Sequence, residues 1–442
     1  MESFIAAANS DMQAEVKIPE INLQAFDKQA PYVTRRDQTS TICPVPVLKP
    51  STTRTAKVTV TDLNFIDLSS CYFTFRIRNN STTGDLRPLS AIPHCWFRRM
   101  RWSLNGCVLE DIAHLNRVEE SVSRYVSTNK RRNYGDAGSG WEVLTDAGDD
   151  ALPKVIGHTA GTSVKKVSWR PLSSGWLACG KYVPLLGGSA GGCSVELELS
   201  DETDAVLAAD GLSTDWQIED LQMHVDSVTL ATELANQFAE QLINDSILIA
   251  FQSNACDVQY LPAGSNNVTL SLAKQYSRLN TVFVSFCDEI DPLTAPPNNA
   301  VGVHSRTMNR FYLGEGKKET VSSYLQLNNQ RYPQNDTVGA QQHLLKLHEG
   351  LGIYNSTSHS LAFSQDAYGG TDDGTAAGAA RYFTICTDTE MVPHVSASGQ
   401  PVLGGGVIQF TAKELGEPRQ AFIMTSFDAV CEIRNQGCAL YT

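Results

Sequence analysis

Apolar and polar residues alternate along much of this chain with the two-residue period of half-buried β-strands. Val195, Leu197 and Leu199 alternate with Glu196 and Glu198, which is how a strand with one wet face is written. Val58 and Val60 face away from Thr59 and Thr61, and residues 72–78 alternate until the turn-forming Asn79-Asn80-Ser81. Residues 100–104 and 107–112 are two further apolar-patterned runs joined by Asn105-Gly106. That dipeptide predicts a hairpin, because a type I′ turn needs φ > 0 at both central residues. The period then changes. Leu115, Val118, Val122 and Tyr125 or Val126 fall on one helical face, so residues 113–126 read as a helix. Strands at 166–170, 178–182, 193–199 and 216–228 follow, and then a helix at 231–242.

The second half repeats the plan. Strands are expected at 247–251, 258–261, 268–272, 281–286, 310–313 and 321–327. A turn at Asn328-Asn329 leads into Arg331-Tyr332-Pro333, and a helix at 338–348 stops at Gly350 and Gly352. Later strands fall near Ile353 and at 360–363, 382–387, 407–412 and 422–434. Three matches recur in the same order. Val58-Thr59-Val60-Thr61 returns as Val268-Thr269-Leu270-Ser271, and residues 71–75 return as 281–285, both offset by 210. Trp102-Ser103-Leu104-Asn105-Gly106 returns as Leu325-Gln326-Leu327-Asn328-Asn329, offset by 223. Two β-rich units of roughly 200 residues imply a double β-sandwich, since such strands bury their apolar faces only against a second sheet.

The expected organisation is an N-terminal arm at 1–52, a first β unit at 53–232 and a second at 233–442. Within the arm, residues 9–16 could form a short helix, and the prolines at 19, 31, 44, 46 and 50 keep the rest extended. Long loops are expected at 127–164 and 288–309, with glycine-rich excursions at 367–380 and 396–406.

Composition narrows the function. The net charge of −13 argues against a surface built to grip nucleic acid. Arg98, Arg99 and Arg101, then Lys130, Arg131 and Arg132, then Lys165 and Lys166 read as solvated charges at strand edges and loops. No apolar run approaches the roughly 20 residues that span a bilayer, and the start Met1-Glu2-Ser3-Phe4-Ile5 lacks the basic region of a secretory signal. The 11 cysteines contain no C-x-x-C pair, so they read as small buried hydrophobes in a reducing compartment.

Catalytic patterns are weak. Gly187-Gly188-Ser189-Ala190-Gly191 matches G-x-S-x-G, but a nucleophile elbow must open a helix, and here a strand follows. His343 and His348 lie five apart on a predicted helix, on different faces. Asp372-Asp373-Gly374 sits in a stretch too rich in glycine to hold a cation rigidly. Glu110-Asp111, Glu119-Glu120 and Asp149-Asp150 default to solvated pairs, and Phe73, Phe75, Phe283 and Phe286 to core. No catalytic residue, cofactor site or metal site is assigned.

The duplicated sandwich, the strand–turn–strand–helix element in each half and the long loops resemble the double jelly-roll major capsid proteins of icosahedral dsDNA viruses. That lineage includes adenovirus hexons, tectiviruses, virophages and polinton-like viruses. The resemblance covers about residues 50–442. It rests on residues 97–106 running into Glu110-Asp111-Ile112 and a helix, on residues 323–333 ahead of the second helix, and on residues 422–428 as a last strand. It implies an all-β fold of two consecutive eight-stranded jelly-roll β-sandwiches with short flanking helices. It further implies a structural subunit, not an enzyme, that forms a homotrimer of pseudo-hexagonal outline. Such trimers would tile an icosahedral shell around dsDNA, beside neighbouring capsomers and penton or minor capsid proteins. The protein would reside in the virion after synthesis in the host cytoplasm or nucleus, with the arm on the inner side. Two alternatives remain open. One is a carbohydrate-binding β-sandwich such as a minor coat or fibre protein; the other is an enzyme on paired jelly rolls, which would need clustered histidines or a secretory route.

Overall fold

The computed structural model describes residues 33–61, 65–88, 93–125, 155–185, 192–206, 211–262, 267–288, 319–353, 361, 368–369, 383–391, 399–411, 419–434 and 437–442. The first unit contains strands Val33–Ile42 (β1), Val47–Leu48 (β2), Thr55–Val60 (β3), Phe65–Asn79 (β4), Asp85–Leu86 (β5), Phe97–Leu104 (β6) and Cys107–Ala113 (β7). Helix Leu115–Tyr125 (α1) separates these from Val164–Trp169 (β8), Tyr182–Pro184 (β9) and Cys193–Leu199 (β10). A short helix Glu202–Ala205 (α2) leads to Leu212–Ser213 (β11) and Trp216–Leu230 (β12). Helix Thr232–Asn244 (α3) connects to the second unit: Ile247–Leu261 (β13), Asn267–Leu272 (β14), Tyr276–Asp288 (β15), Ser322–Leu327 (β16) and Gln330–Val338 (β17). After helix Gly339–Gly350 (α4) come Thr384–Asp388 (β18), Gln400–Val402 (β19), Gly406–Thr411 (β20), Arg419–Arg434 (β21) and Gly437–Tyr441 (β22).

Each unit packs a six-stranded sheet on a four-stranded one. In the first, the orders are β1-β12-β4-β8, with β2 on β12 and β9 on β4, and β3-β10-β6-β7. In the second they are β13-β21-β15-β18, with β19 on β15 and β22 on β21, and β14-β20-β16-β17. Position by position the two orders are the same, and the helix follows the β6-β7 or β16-β17 hairpin in both. The chain alternates between sheets as it advances, which is the winding of a jelly roll. The fold is therefore all-β, with two jelly rolls in tandem.

The alternation in sequence becomes the two faces of the sheets. Val195, Leu197 and Leu199 are fully buried, and Glu196 on the opposite face pairs with Lys57 at 3.2 Å. The first core is aromatic. Phe97 stacks on Trp169 at 5.0 Å and 11° and meets Phe75 edge-on at 5.3 Å, so rings from both sheets interdigitate. In the second core Phe286 lies 5.1 Å from Phe410 across the same gap. Both hairpins turn as expected: Asn105 and Gly106 have φ of 49° and 83°, and Asn328 and Asn329 have 48° and 67°. A Cβ on Gly106 would meet nothing within 4 Å. Gly106→Ala should therefore lose about 1–2 kcal/mol through backbone strain alone, read as a lower denaturant midpoint.

Several expected boundaries change. Residues 33–48 of the expected arm lie on the body of the first roll: β1 pairs with β12 from Val33↔Leu230 to Ile42↔Gln222, and β2 pairs with Ile218 and Glu219 of the same strand. Residues 247–251 and 258–261 belong to one strand, β13, continuous along β21. The strand expected at 178–182 is a turn, with Ala178 N–H bonded to Gly175 O, and only Tyr182–Pro184 is extended. Within the excursion expected at 396–406, β19 pairs with β15. The helix at 9–16, most of the loops at 127–164 and 288–309, the strand at 310–313, Gly187–Gly191 and Asp372–Gly374 lie outside the described residues.

Candidate functional site at the seam between the two rolls

The residues that distinguish this chain from a pair of independent sandwiches lie where the rolls meet. Strand β7 runs along the edge of the first roll, and β13 and β22 of the second pack against it. The turn at 172–178 crosses the same gap. Trp176 is fully buried and meets Phe251 edge-on at 5.0 Å. Beside it Gly175 approaches β13 so closely that a Cβ there would stand 1.4 Å from the carbonyl oxygen of Gln252. Only a glycine leaves room for that contact.

Glu110 and Asn254 in the gap find hydrogen-bond partners in both rolls. The Glu110 carboxylate on β7 accepts hydrogen bonds from Ser174 Oγ, from Gly175 N–H at 2.9 Å and from Ser253 Oγ of the second roll at 3.4 Å. Asn254 Nδ2 donates back to the Ser173 carbonyl at 2.6 Å. Burial pushes the Glu110 carboxyl up to about 7, only partly opposed by the hydrogen bonds from Ser174 and from backbone N–H groups. Glu119 on α1 accepts from the N–H groups of Leu172 and Ser173 at 3.0 and 2.6 Å, and burial raises its carboxyl as well. These two carboxylates hold the 172–178 turn in place.

Helix α1 is enclosed on every side that its described residues present, although Glu119-Glu120 read in the sequence as a solvated pair. Leu115, Val118 and Tyr125 are buried as expected, but so are Asn116, Arg117, Glu119, Glu120, Ser121 and Ser123. His94 Nε2 lies 2.8 Å from Glu120 Oε2, and Arg117 pairs with Asp204 at 2.6 Å. Arg117 also lies over the Phe422 ring of the second roll at 5.7 Å, and His114 meets that ring edge-on at 5.5 Å. Tyr125 stacks on Phe283 at 5.7 Å and donates to Thr384 Oγ1 at 3.3 Å. The end of α1 is thereby fixed to the second roll.

The other residues singled out in the sequence lie apart. Arg99 and Arg101 both pair with Asp111, and Arg98 pairs with Asp201, so these three arginines are held by local carboxylates. Glu110, Glu119 and Glu120 are buried, which overturns the solvated default, because donors distant in sequence enclose them. His343 is buried between Ser323 Oγ at 2.8 Å and the Gly339 carbonyl at 2.7 Å, and burial lowers it to about 4. His348 bonds the Leu344 carbonyl, away from His343. Among the described residues no group of three or more His, Cys, Asp or Glu is arranged to hold a metal ion, and no helix is long and apolar enough to cross a membrane. One sequence signal for the seam was present: Glu110 stands in phase with the inward-facing Ile112.

Chemically, this arrangement can fasten two sandwiches into one rigid body. The class it defines is the fused double jelly roll. Solved structures share that fold. PBCV-1 VP54, from a crystal structure fitted into a reconstruction of the virophage Sputnik, is similar with a TM-score of 0.62 and 10% identity, over 93% of this chain and 97% of its own. The Faustovirus major capsid protein gives 0.59 at 7% identity, covering 91% of each chain. The mavirus major capsid protein gives 0.50 at 10%, covering 91% of this chain and 89% of its own. No family model and no curated protein matches the sequence. At these identities the likeness is one of fold.

Proposed function

We propose that this chain is a major capsid protein, a structural subunit rather than an enzyme. Three copies would join into a pseudo-hexagonal capsomer, and capsomers would tile an icosahedral shell around dsDNA. The observation that carries this reading is the equivalence of the two rolls: the same strand order twice, fused along a buried seam, so that one chain presents two similar side walls. Three such chains supply six, and closed threefold symmetry satisfies every wall. The fold shared with the Faustovirus and mavirus major capsid proteins over nearly the whole chain supports the same conclusion. The net charge of −13 suits a wall that encloses DNA without reading its sequence. Neighbouring capsomers and penton or minor capsid proteins are the partners, and the virion is the location. Light scattering on the purified protein tests the assembly: the expected mass is three times 48.2 kDa, and a stable monomer at micromolar concentration would remove the proposal's support.

A further inference from the structure

Three thiols gather where β22 and β21 of the second roll meet β7 of the first. Cys431 on β21 and Cys438 on β22 bring their sulfurs to 3.2 Å across the ladder that pairs Cys431 with Leu440 and Ile433 with Cys438. Cys107, at the start of β7, is a close neighbour of Cys438 where β22 packs on β7. Cys438 therefore sits between one thiol of its own roll and one of the other. The three differ in access: Cys431 is fully buried, while Cys107 and Cys438 are half-buried. They differ in acidity too. The neighbouring thiols of Cys431 and then Cys107 hold the Cys438 thiol below its usual range, although burial opposes them. Burial and the neighbouring Cys438 push Cys107 up to about 11. Cys438 is thus central and reachable, with a second sulfur 3.2 Å away, which is the arrangement of an oxidisable cysteine with resolving partners.

We propose that Cys107, Cys431 and Cys438 form an oxidisable cluster in which Cys438 forms a disulfide with Cys431, and Cys107 can take that bridge over so that it spans the seam between the rolls. A peroxide is the oxidant class. The Cys438 thiolate attacks one peroxide oxygen, the O–O bond breaks, and hydroxide leaves; sulfur loses two electrons to become a sulfenic acid and the peroxide is reduced. Cys431 then attacks Cys438 Sγ, the S–O bond breaks and water departs with the thiol proton. The S–S bond needs the sulfurs to close from 3.2 Å to about 2.05 Å. In the exchange step the Cys107 thiolate attacks Cys438 Sγ and Cys431 leaves as a thiolate that takes up a proton, with no net change in oxidation state. The first bridge closes the β21-β22 hairpin; the second ties the edge of the first roll to the second.

Tryptic mapping of the full-length protein tests this directly. Cleavage at arginine separates the three thiols into peptides 102–117, 420–434 and 435–442, each with a single cysteine. After treatment with hydrogen peroxide and alkylation of remaining thiols, peptide 435–442 is expected joined to 420–434, and dithiothreitol should release it. Cys107→Ser should keep that product, and Cys431→Ser should shift the link to 102–117. The wild-type map decides even if a variant fails to fold. Recovery of 435–442 with an alkylated thiol, only as a sulfinic or sulfonic acid, or joined to a peptide from neither partner would overturn the proposal.

Discussion

Gly175→Val is expected to cost about 4 kcal/mol or more, placing it among the largest effects a single substitution has. The added Cβ would stand 1.4 Å from the Gln252 carbonyl oxygen and 2.6 Å from its carbon. That backbone cannot retreat cheaply, because Gln252 is held in register with Asp428 in the middle of the β13-β21 ladder. The 172–178 turn must lift instead. Lifting it withdraws the Gly175 N–H from Glu110 and Trp176 from Phe251, leaving a buried carboxylate short of a donor and a large ring partly exposed. Guanidinium unfolding followed by tryptophan fluorescence measures the loss; a midpoint equal to that of the wild type would show that the seam is not close-packed at Gly175.

Glu110→Gln should change the pH dependence of stability. The carboxyl titrates near 7 in the folded protein against an ordinary value of 4.5, so between these values the folded state holds a proton that the unfolded chain releases. Its contribution is fully present below pH 4.5 and is lost as pH rises through 7, a change of about 3 kcal/mol. His343 acts in the opposite direction. Its imidazole, lowered to about 4 from 6.5, contributes stability above pH 6.5 that is lost as pH falls toward 4. The wild-type profile contains both effects, and the difference between wild type and Glu110→Gln isolates the carboxylate. The amide can still accept from Gly175 N–H and donate to the serine hydroxyls. Relative to wild type, the variant should therefore gain about 3 kcal/mol between pH 5 and pH 8, measured as unfolding midpoints across that range. A difference independent of pH would mean that Glu110 is solvated in the folded protein.

What the sequence revealed follows from which interactions are local. The Asn105-Gly106 hairpin, the strand Cys193–Leu199 and the stripe Leu115, Val118 and Tyr125 on α1 are written in neighbouring residues, and the structure shows each of them. Strand β1 carries no such signal. It reads Val-Thr-Arg-Arg-Asp-Gln-Thr-Ser-Thr-Ile and is largely exposed, because it is an edge strand held by its backbone ladder to β12. Strand β13 looked broken because Ser253 and Asn254 interrupt its apolar run, yet their partners are Glu110 and the Ser173 carbonyl in the other roll. Glu110 itself is satisfied by residues 64 to 143 positions away. A seam between two domains is by nature non-local, and its polar residues look like surface until the second domain is placed.

Negative-stain electron microscopy of the purified protein tests the central claim most directly, because it shows the assembled unit. Two fused rolls per chain and three chains per particle predict class averages with a six-sided outline around a threefold centre. Averages dominated by isolated two-lobed particles would contradict the account.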